Sequence, residues 1–424
     1  MKKIAKFLIV LGMIGQLSSC DYLDIVPDER AQESDTWKTE GAVRGYLYSC
    51  YGYLPANRTF GNSYWLAEEL TAVTKELFTT FKYGYYSPVS LGFTSNTWST
   101  IWNGIHQCYM FQESLKQVSN EYVTDEMKKQ YLAESNFLIA YYHFLSMRSY
   151  GPTMIIRSVI DLETPISGFP ERSSIDEVVA FINEKLDEAM SEGGLPTTWS
   201  GKDYGRATRL AALALKSRVY LYAASPLYNG NTEMYADFRS PLDGRQLIAQ
   251  EKSQAKWEIS ATQTKYAIDE VEKAKFHLYH DADAGEPSDA KPGLPNKAQR
   301  RLRYTNIDNQ TGNNPEIIWA DTRNDDYYGI QRRCPPRQTL GGKFAGISMT
   351  NCPTLQTIEA FYTKNGLPIN KDKTFDYDER YEYISAPENC DGNNYEDLVK
   401  YANFTPSSDK VMRLCTDREP LFYA

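Results

Sequence analysis

Tyr131 to Pro152 reads YLAESNFLIAYYHFLSMRSYGP, and this stretch decides the fold. Phe137, Ala140, Tyr141, Phe144 and Met147 recur at spacings of three and four, which places them on one face of an α-helix. Gly151-Pro152 closes that helix, because proline cannot continue it. The same period returns downstream. Ser174 stands three residues before Glu177, a capping box opening a stripe of Ile175, Val178, Val179, Ile182, Leu186 and Ala189. Asp176, Glu177, Glu184, Asp187 and Glu188 make its solvated face, and Gly193-Gly194 ends it. Leu210, Leu213, Ala214, Ser217, Tyr220, Leu221 and Ala224 line a third helix stopping at Pro226, with small residues that admit a close neighbour. Trp257, Ala261, Thr264, Ile268 and Val271 predict a long helix reaching about His280, and shorter helices are expected at 40–54 and 97–119. The starts near 131, 174, 206 and 256 are unevenly spaced, which excludes a regular repeat array. The expected fold is mainly α: an irregular tetratricopeptide-like helical-hairpin solenoid with long loop-rich insertions and little β.

Composition bounds the rest. At 424 residues the chain holds two or three domains, or one large one, at roughly 100–200 residues each. Hydrophobic residues make up 42%, enough for a sizeable core, so a wholly disordered chain is excluded. A net charge of −9 argues against nucleic acid, whose binders need a basic footprint. Tyrosine (32) and tryptophan (7) outnumber phenylalanine (17), so most aromatic surface carries a polar handle suited to half-wet sites.

Lys2, Lys3 and Lys6 precede an apolar run, Phe7 to Gly15, too short to span a bilayer. That is the pattern of a secretory signal peptide. Leu17-Ser18-Ser19-Cys20 then resembles a bacterial lipobox, making Cys20 the lipidated new N-terminus and residues 1–19 the leader. Acyl chains on Cys20 would tether the body to a membrane, and nothing later in the chain has the apolar length to cross one. Cys50, Cys108, Cys334, Cys352, Cys390 and Cys415 form no C-x-x-C pair, so free buried thiols are expected. Residues 20–35 read as a tether with an acidic start (Asp21, Asp24, Asp28, Glu29), 36–280 as the helical region and 281–424 as loop-rich. Within 281–350 the one strand-like run is Glu316 to Ala320, and 55–97 is a second weakly periodic, tyrosine-rich stretch.

Five motifs in order resemble the SusD/RagB-like outer-membrane lipoproteins of Bacteroidetes. They are Cys20-Asp21-Tyr22-Leu23-Asp24 with Pro27, the Tyr131–Pro152 helix, GRATRLAALALKSRVYLYA over 205–223, Phe361 to Ile369 (FYTKNGLPI), and Arg418 to Ala424 (REPLFYA). In the last, Leu421 stands where the family pattern has arginine. Family members continue beyond this motif, so the resemblance implies a shortened C-terminal region. It further implies a non-catalytic protein on the cell surface, lipid-anchored in the outer membrane, that binds oligosaccharide or polysaccharide and passes it to a TonB-dependent transporter. The acidic leader is read by the resemblance as favouring export to the outer face, and equally by its residues as a solvated tether.

The chemistry is consistent with that expectation. A sugar ring offers an apolar C–H face to an aromatic and a rim of hydroxyls to Asn, Asp or Arg. Trp65, Tyr83, Tyr85 and Tyr86 supply aromatics in the first loop region, and Asp321, Arg323, Asp326, Tyr327 and Tyr328 a mixed cluster in the second. The two groups are expected to converge on one carbohydrate-binding face, against the alternative that these tyrosines pack on their own helices. Trp319, Trp98 and Trp102 read as core. Enzyme motifs are missing: there is no H-E-x-x-H, G-x-S-x-G, G-x-x-x-x-G-K-[ST] or G-x-G-x-x-G. No cofactor is expected. Of His106, His143, His277 and His280, the last two share a predicted helical face without a third metal ligand, and Asp281 to Gly285 reads as a turn rather than a calcium loop. The alternatives left open are a binder of peptides or other nutrients and a glycoside hydrolase on the same scaffold.

Overall fold

The computed structural model describes residues 37–55, 70–72, 95–161, 163–288, 297–308, 314–322, 351–385 and 410–424. The lipobox and tether lie outside the described residues. Six helices carry the architecture: α1 (Glu40–Tyr51), α2 (Ser95–Leu115), α3 (Asp125–Tyr150), α4 (Ile175–Ala189), α5 (Arg209–Ala224) and α6 (Gln254–Lys273). Each packs against the next in sequence, and α1 also reaches α3, so the order of the chain is the order of the stack. This is the irregular helical stack that the periodicity predicts. Among the described residues, no helix is long and apolar enough to cross a membrane.

Capping sets where the helices begin. Thr39, Thr124 and Thr208 each accept a hydrogen bond from a backbone N–H in the first turn of α1, α3 and α5. The box at the head of α4 is complete, with Ser174 and Glu177 each bonded to the other's backbone. Gly151 ends α3 with φ +72°, donating its N–H to Met147 O.

Helix α3 is the axis of the core. Phe137, Ala140, Phe144 and Met147 are buried and Tyr141 half-buried, as its stripe predicts, but residues on its other sides are buried too, because α2 and α4 flank it. The α2–α3 approach depends on Gly104. A Cβ there would lie 2.8 Å from the Tyr142 ring, and that ring is pinned by a 2.6 Å hydrogen bond to Cys50 O. All six stripe residues of α4 are buried.

Two helices depart from expectation. Helix α5 is buried on two sides: Ala212, Leu215 and Val219 join the main core, while Leu210 and Leu213 meet Ala267 of α6. Leu221, assigned to its inner stripe, is exposed. Helix α6 stops at Lys273 rather than near His280, since Lys275 turns the backbone to φ +72°. Its buried positions are Ser260 and Ala267, whereas Ile268 of the predicted stripe is 47% exposed. Small residues bring α6 close to α5, where Ser217 and Thr264 share a 2.7 Å hydrogen bond. His277 and His280 therefore share no helical face. Their rings stack at 5.3 Å in the segment after α6, with Asp283 3.3 Å from His277 Nε2.

β-structure is sparse, as expected: β1 (Leu70–Ala72) pairs antiparallel with β4 (Asn351–Pro353), β2 (Thr153–Met154) with β3 (Arg172–Ser173), and β5 (Tyr383–Ser385) with β6 (Lys410–Met412). Glu316 to Ala320 is not a strand. Its backbone turns at Ile317, bonded to Asn314 O, and no strand pairs with it. Helices α7 (Lys297–Ile307) and α8 (Leu355–Ala360) and a single turn at Pro420–Tyr423 lie in the loop-rich half. There Asp372 takes hydrogen bonds from Thr363 Oγ1 (2.6 Å), Asn365 Nδ2 (2.9 Å) and Thr374 (2.7 and 2.8 Å), and these donors hold its carboxyl well below the usual range.

His143 is buried in this core. Ile139 O lies 2.7 Å from Nδ1, which must carry the proton, while Nε2 accepts from Ile156 N–H at 3.3 Å. Burial lowers its pKa from 6.5 to about 4. The unfolded chain therefore binds this proton first as the pH falls. Stability is complete above the unfolded value of 6.5 and declines towards the folded value of about 4. The loss from this residue approaches about 3 kcal/mol at the acid end. Urea unfolding of wild type and His143→Gln across that range should show the variant with the shallower pH dependence.

Candidate functional site

A cleft of about 600 Å³ opens where α1 and α3 meet two loops. The end of α1 contributes Tyr48 and Tyr51, followed by Leu54 and Pro55. Tyr141, Leu145 and Arg148 come from α3 at spacings of four and three, hence from one face of it. Lys202, Tyr204, Gly205 and Arg206 precede α5, and Trp319 to Thr322 form the remaining wall. Burial raises the Tyr48, Tyr141 and Tyr204 phenols above their ordinary pKa, so all three stay neutral hydroxyls that donate as well as accept. Aromatic faces thus alternate with hydroxyl, ammonium, guanidinium and carboxylate groups around one concavity.

The floor is a buried ionic network. Glu134, with no exposed surface, accepts from Arg206 Nη2 (2.5 Å), Arg206 Nε (3.2 Å) and Tyr51 Oη (2.6 Å). Tyr51 Oη in turn accepts from Ala207 N–H at 2.9 Å, and Arg206 Nη1 reaches Asp203 at 2.8 Å. The guanidinium lies 4.0 Å over the Trp199 ring. Burial pushes the Glu134 carboxyl up, and Arg206 and Tyr51 offset part of that. Burial would by itself lower Arg206, but its bonds to Glu134 override this and hold it above the ordinary arginine value.

Gly205 lets the fourth wall close. Its φ is +97°, and a Cβ there would lie 2.7 Å from Thr322 Cγ2. Trp319 Nε1 donates to Gly205 O at 2.8 Å, and its ring meets Phe137 and Tyr141 edge-on at 5.1 and 5.5 Å. Trp319 is thus packed against the core, as expected, while also lining the cleft. Trp98 and Trp102 pack edge to face at 5.3 Å.

Of the residues nominated from sequence, Asp321 is exposed on the cleft wall. Trp65, Tyr83, Tyr85, Tyr86, Arg323, Asp326, Tyr327 and Tyr328 lie outside the described residues, as does Cys20. Trp65 falls in 56–69, Tyr83, Tyr85 and Tyr86 in 73–94 between β1 and α2, and the other four in 323–350. Pro55, the last described residue before 56–69, and Thr322, the last before 323–350, both line the cleft. Beyond those segments the chain re-enters at β1 and β4, which pair with each other, Leu70 opposite Pro353 and Ala72 opposite Asn351. Sequence reading missed Tyr48, Tyr51, Tyr141, Arg148, Lys202, Tyr204 and Arg206. Arg148 had a detectable signal, lying seven residues after Tyr141 on the edge of the α3 stripe.

A stack of helices in chain order with an aromatic and polar cleft on its flank defines a helical-repeat scaffold carrying a recognition concavity. Residues 21–221 match the SusD-like family model described as "Starch-binding associating with outer membrane". Over that stretch, a little under half of its length, the chain is similar to the SusD-like family. Among solved structures it is similar to BT4246, at 28% identity and TM-score 0.68, over 91% of this chain and 64% of that one. It shares its fold with a SusD-like protein from Bacteroides fragilis (19% identity, TM-score 0.61, 93% of this chain and 61% of that one). A SusD superfamily protein from Parabacteroides distasonis is also similar in fold (16% identity, TM-score 0.52, covering 93% and 70%). The chain thus spans less than two thirds of the length of the first two. No match is found among curated proteins.

Two predictions follow from the cleft geometry. Replacing Glu134 by Leu or Arg206 by Met strands a buried charge, so each should lower unfolding stability by about 3–5 kcal/mol, and the pair together by less than the sum. A double-mutant cycle in guanidinium measures this. Gly205→Ala should displace the Trp319–Thr322 wall, seen as a red shift of tryptophan emission with little change in helical circular dichroism.

Proposed function

We propose that this protein is a surface glycan binder that takes up oligosaccharide in the cleft between α1, α3 and the Trp319–Thr322 wall, without cutting it. The observation that carries the reading is that Pro55 and Thr322, the described residues from which two loop stretches depart, line the same concavity. The chain leaves the described cleft wall at Pro55 and at Thr322, and re-enters through strands that pair with each other. We take Trp65, Tyr83, Tyr85, Tyr86, Asp321, Arg323, Asp326, Tyr327 and Tyr328 as the residues that complete the cleft. Its volume of about 600 Å³ suits a few sugar units. Neutral phenols at Tyr48, Tyr141 and Tyr204 match a hydroxyl-rich ligand, offering ring faces to C–H surfaces and O–H groups to the sugar rim.

The family description, starch-binding and associated with the outer membrane, supports the same reading. Within it, Cys20 is the lipid anchor, the protein sits on the cell surface, and the captured glycan passes to a partner TonB-dependent transporter.

Native electrophoresis through gels containing single soluble polysaccharides tests the function. One glycan class should retard the wild type, and incubation with that glycan should release no shorter product. In a folded Tyr85→Ala, Tyr86→Ala, Tyr327→Ala, Tyr328→Ala variant the affinity should fall at least about tenfold, since each lost aromatic contact is worth ~0.5–1.5 kcal/mol. Unchanged affinity removes the loop assignment, retention of peptides alone removes the glycan reading, and appearance of products makes the protein a hydrolase.

A further inference from the structure

Helix α1 forms one wall of the cleft through Tyr48 and Tyr51, and its hold on the stack runs through Val43, Leu47 and Cys50, all fully buried. Cys50 faces α2. Its Sγ lies 3.7 Å from Gln107 O and 3.7 Å from Tyr46 O, one turn back on its own helix. Gln107 O is the carbonyl bonded to the Cys108 nitrogen, so the Cys50 thiol rests on the α2 backbone beside Cys108, which is also fully buried. Both are free. Neutral groups flank them: Ser49 Oγ takes a bond from Gln107 Nε2 at 2.9 Å, and Ser135 Oγ donates to Cys108 O at 3.2 Å. Two buried cysteines, one with its thiol against the backbone beside the other, on adjacent helices and far apart in sequence, are placed for a covalent bond rather than for metal binding or catalysis. Cys415, the other free cysteine among the described residues, sits in the C-terminal part beside Arg418.

We propose that Cys50 and Cys108 close into a disulfide that fastens α1, and with it the Tyr48–Tyr51 wall of the cleft, onto α2. The oxidant is a disulfide donor, either a small-molecule disulfide or an exported thiol–disulfide oxidoreductase. One cysteine loses its proton and attacks a donor sulfur, breaking the donor S–S bond and releasing one donor thiol, which takes up that proton. The second cysteine then loses its proton, attacks the mixed disulfide and expels the second donor thiol. Two protein thiols are oxidised, one donor disulfide is reduced to two thiols, and the protons balance. Burial pushes the Cys108 thiol well above its ordinary pKa, so exchange belongs to moments when α1 is lifted, during folding or local opening.

The experiment uses the whole chain, refolded in glutathione buffers of increasing oxidised fraction and mapped by mass spectrometry after alkylation. A Cys50–Cys108 peptide pair lacking two hydrogens is expected in oxidising buffer and should vanish on reduction. In the oxidised form, amide exchange in residues 40–51 should slow at least about tenfold relative to the reduced form, with little change in α5. The melting midpoint should rise by about 5 °C. Both comparisons use unmodified sequence, so no variant has to fold. Alkylation of both cysteines in every buffer, a bond to any other cysteine, or only mixed disulfides with glutathione overturns the proposal. The result is independent of whether any glycan binds.

Discussion

A buried carboxylate and a buried guanidinium hold this structure in register. Glu134 and Arg206 are 72 residues apart and meet with no solvent on the carboxylate, each bonded to a second partner, Tyr51 and Asp203. Such a pair is a weak source of net stability, because stripping water from both ions offsets most of their attraction. Burial accordingly pushes the Glu134 carboxyl up, against the pull of Arg206. What the pair supplies is geometry: helices α1 and α3 and the loop before α5 can meet in one arrangement only, since any slip leaves a charge unpaired in a dry interior.

The cleft inherits its shape from that arrangement. Tyr51 and Arg206 are at once members of the network and part of the cleft lining. Ala207 N–H is bound to Tyr51, so the chain enters α5 at a set distance from the end of α1. Gly205, one residue before Arg206, then admits Thr322 and fixes Trp319 through its carbonyl. The site is thus built on helices from below, and Pro55 and Thr322 close its described rim.

Helices whose hydrophobic stripe faces one large neighbour were readable in advance. The six inward residues of α4 and the capping box before them are present as predicted, because a single apolar face and a local hydrogen-bond exchange are both short-range properties. Helix α5 defeats a one-face reading because α4 and α6 cover opposite sides of it. Helix α6 is offset because small Ser260 and Ala267, not bulky Ile268, allow the close approach to α5. Of the site, Asp321 was legible as a polar residue in a loop rich in aromatics. The ion pair was not, although two of the five motifs that carry the family resemblance contain its members: Glu134 lies in the Tyr131–Pro152 stretch, and Arg206 follows Gly205. Periodicity reports which way a side chain points along its own helix and says nothing about which residue, 72 positions away, it will meet.

The terminal motif obeys the same logic with backbone in place of a counterion. Arg418 is fully buried, and its guanidinium donates to the carbonyls of Leu414 (2.6 Å), Ile358 (2.7 Å), Phe361 (2.5 Å) and Tyr362 (3.3 Å). Four carbonyls from the end of α8 and the turn before the motif are thereby satisfied by one planar donor, which lysine, with a single nitrogen, could not serve in that fork. Phe422 covers the guanidinium at 4.8 Å, and Tyr423 Oη accepts from Arg418 N–H while donating to Cys415 O. Arginine, phenylalanine and tyrosine of the motif therefore have structural work to do. Position 421, where leucine replaces the family's arginine, is 47% exposed and carries none of these bonds, so the exchange leaves the buried fork intact.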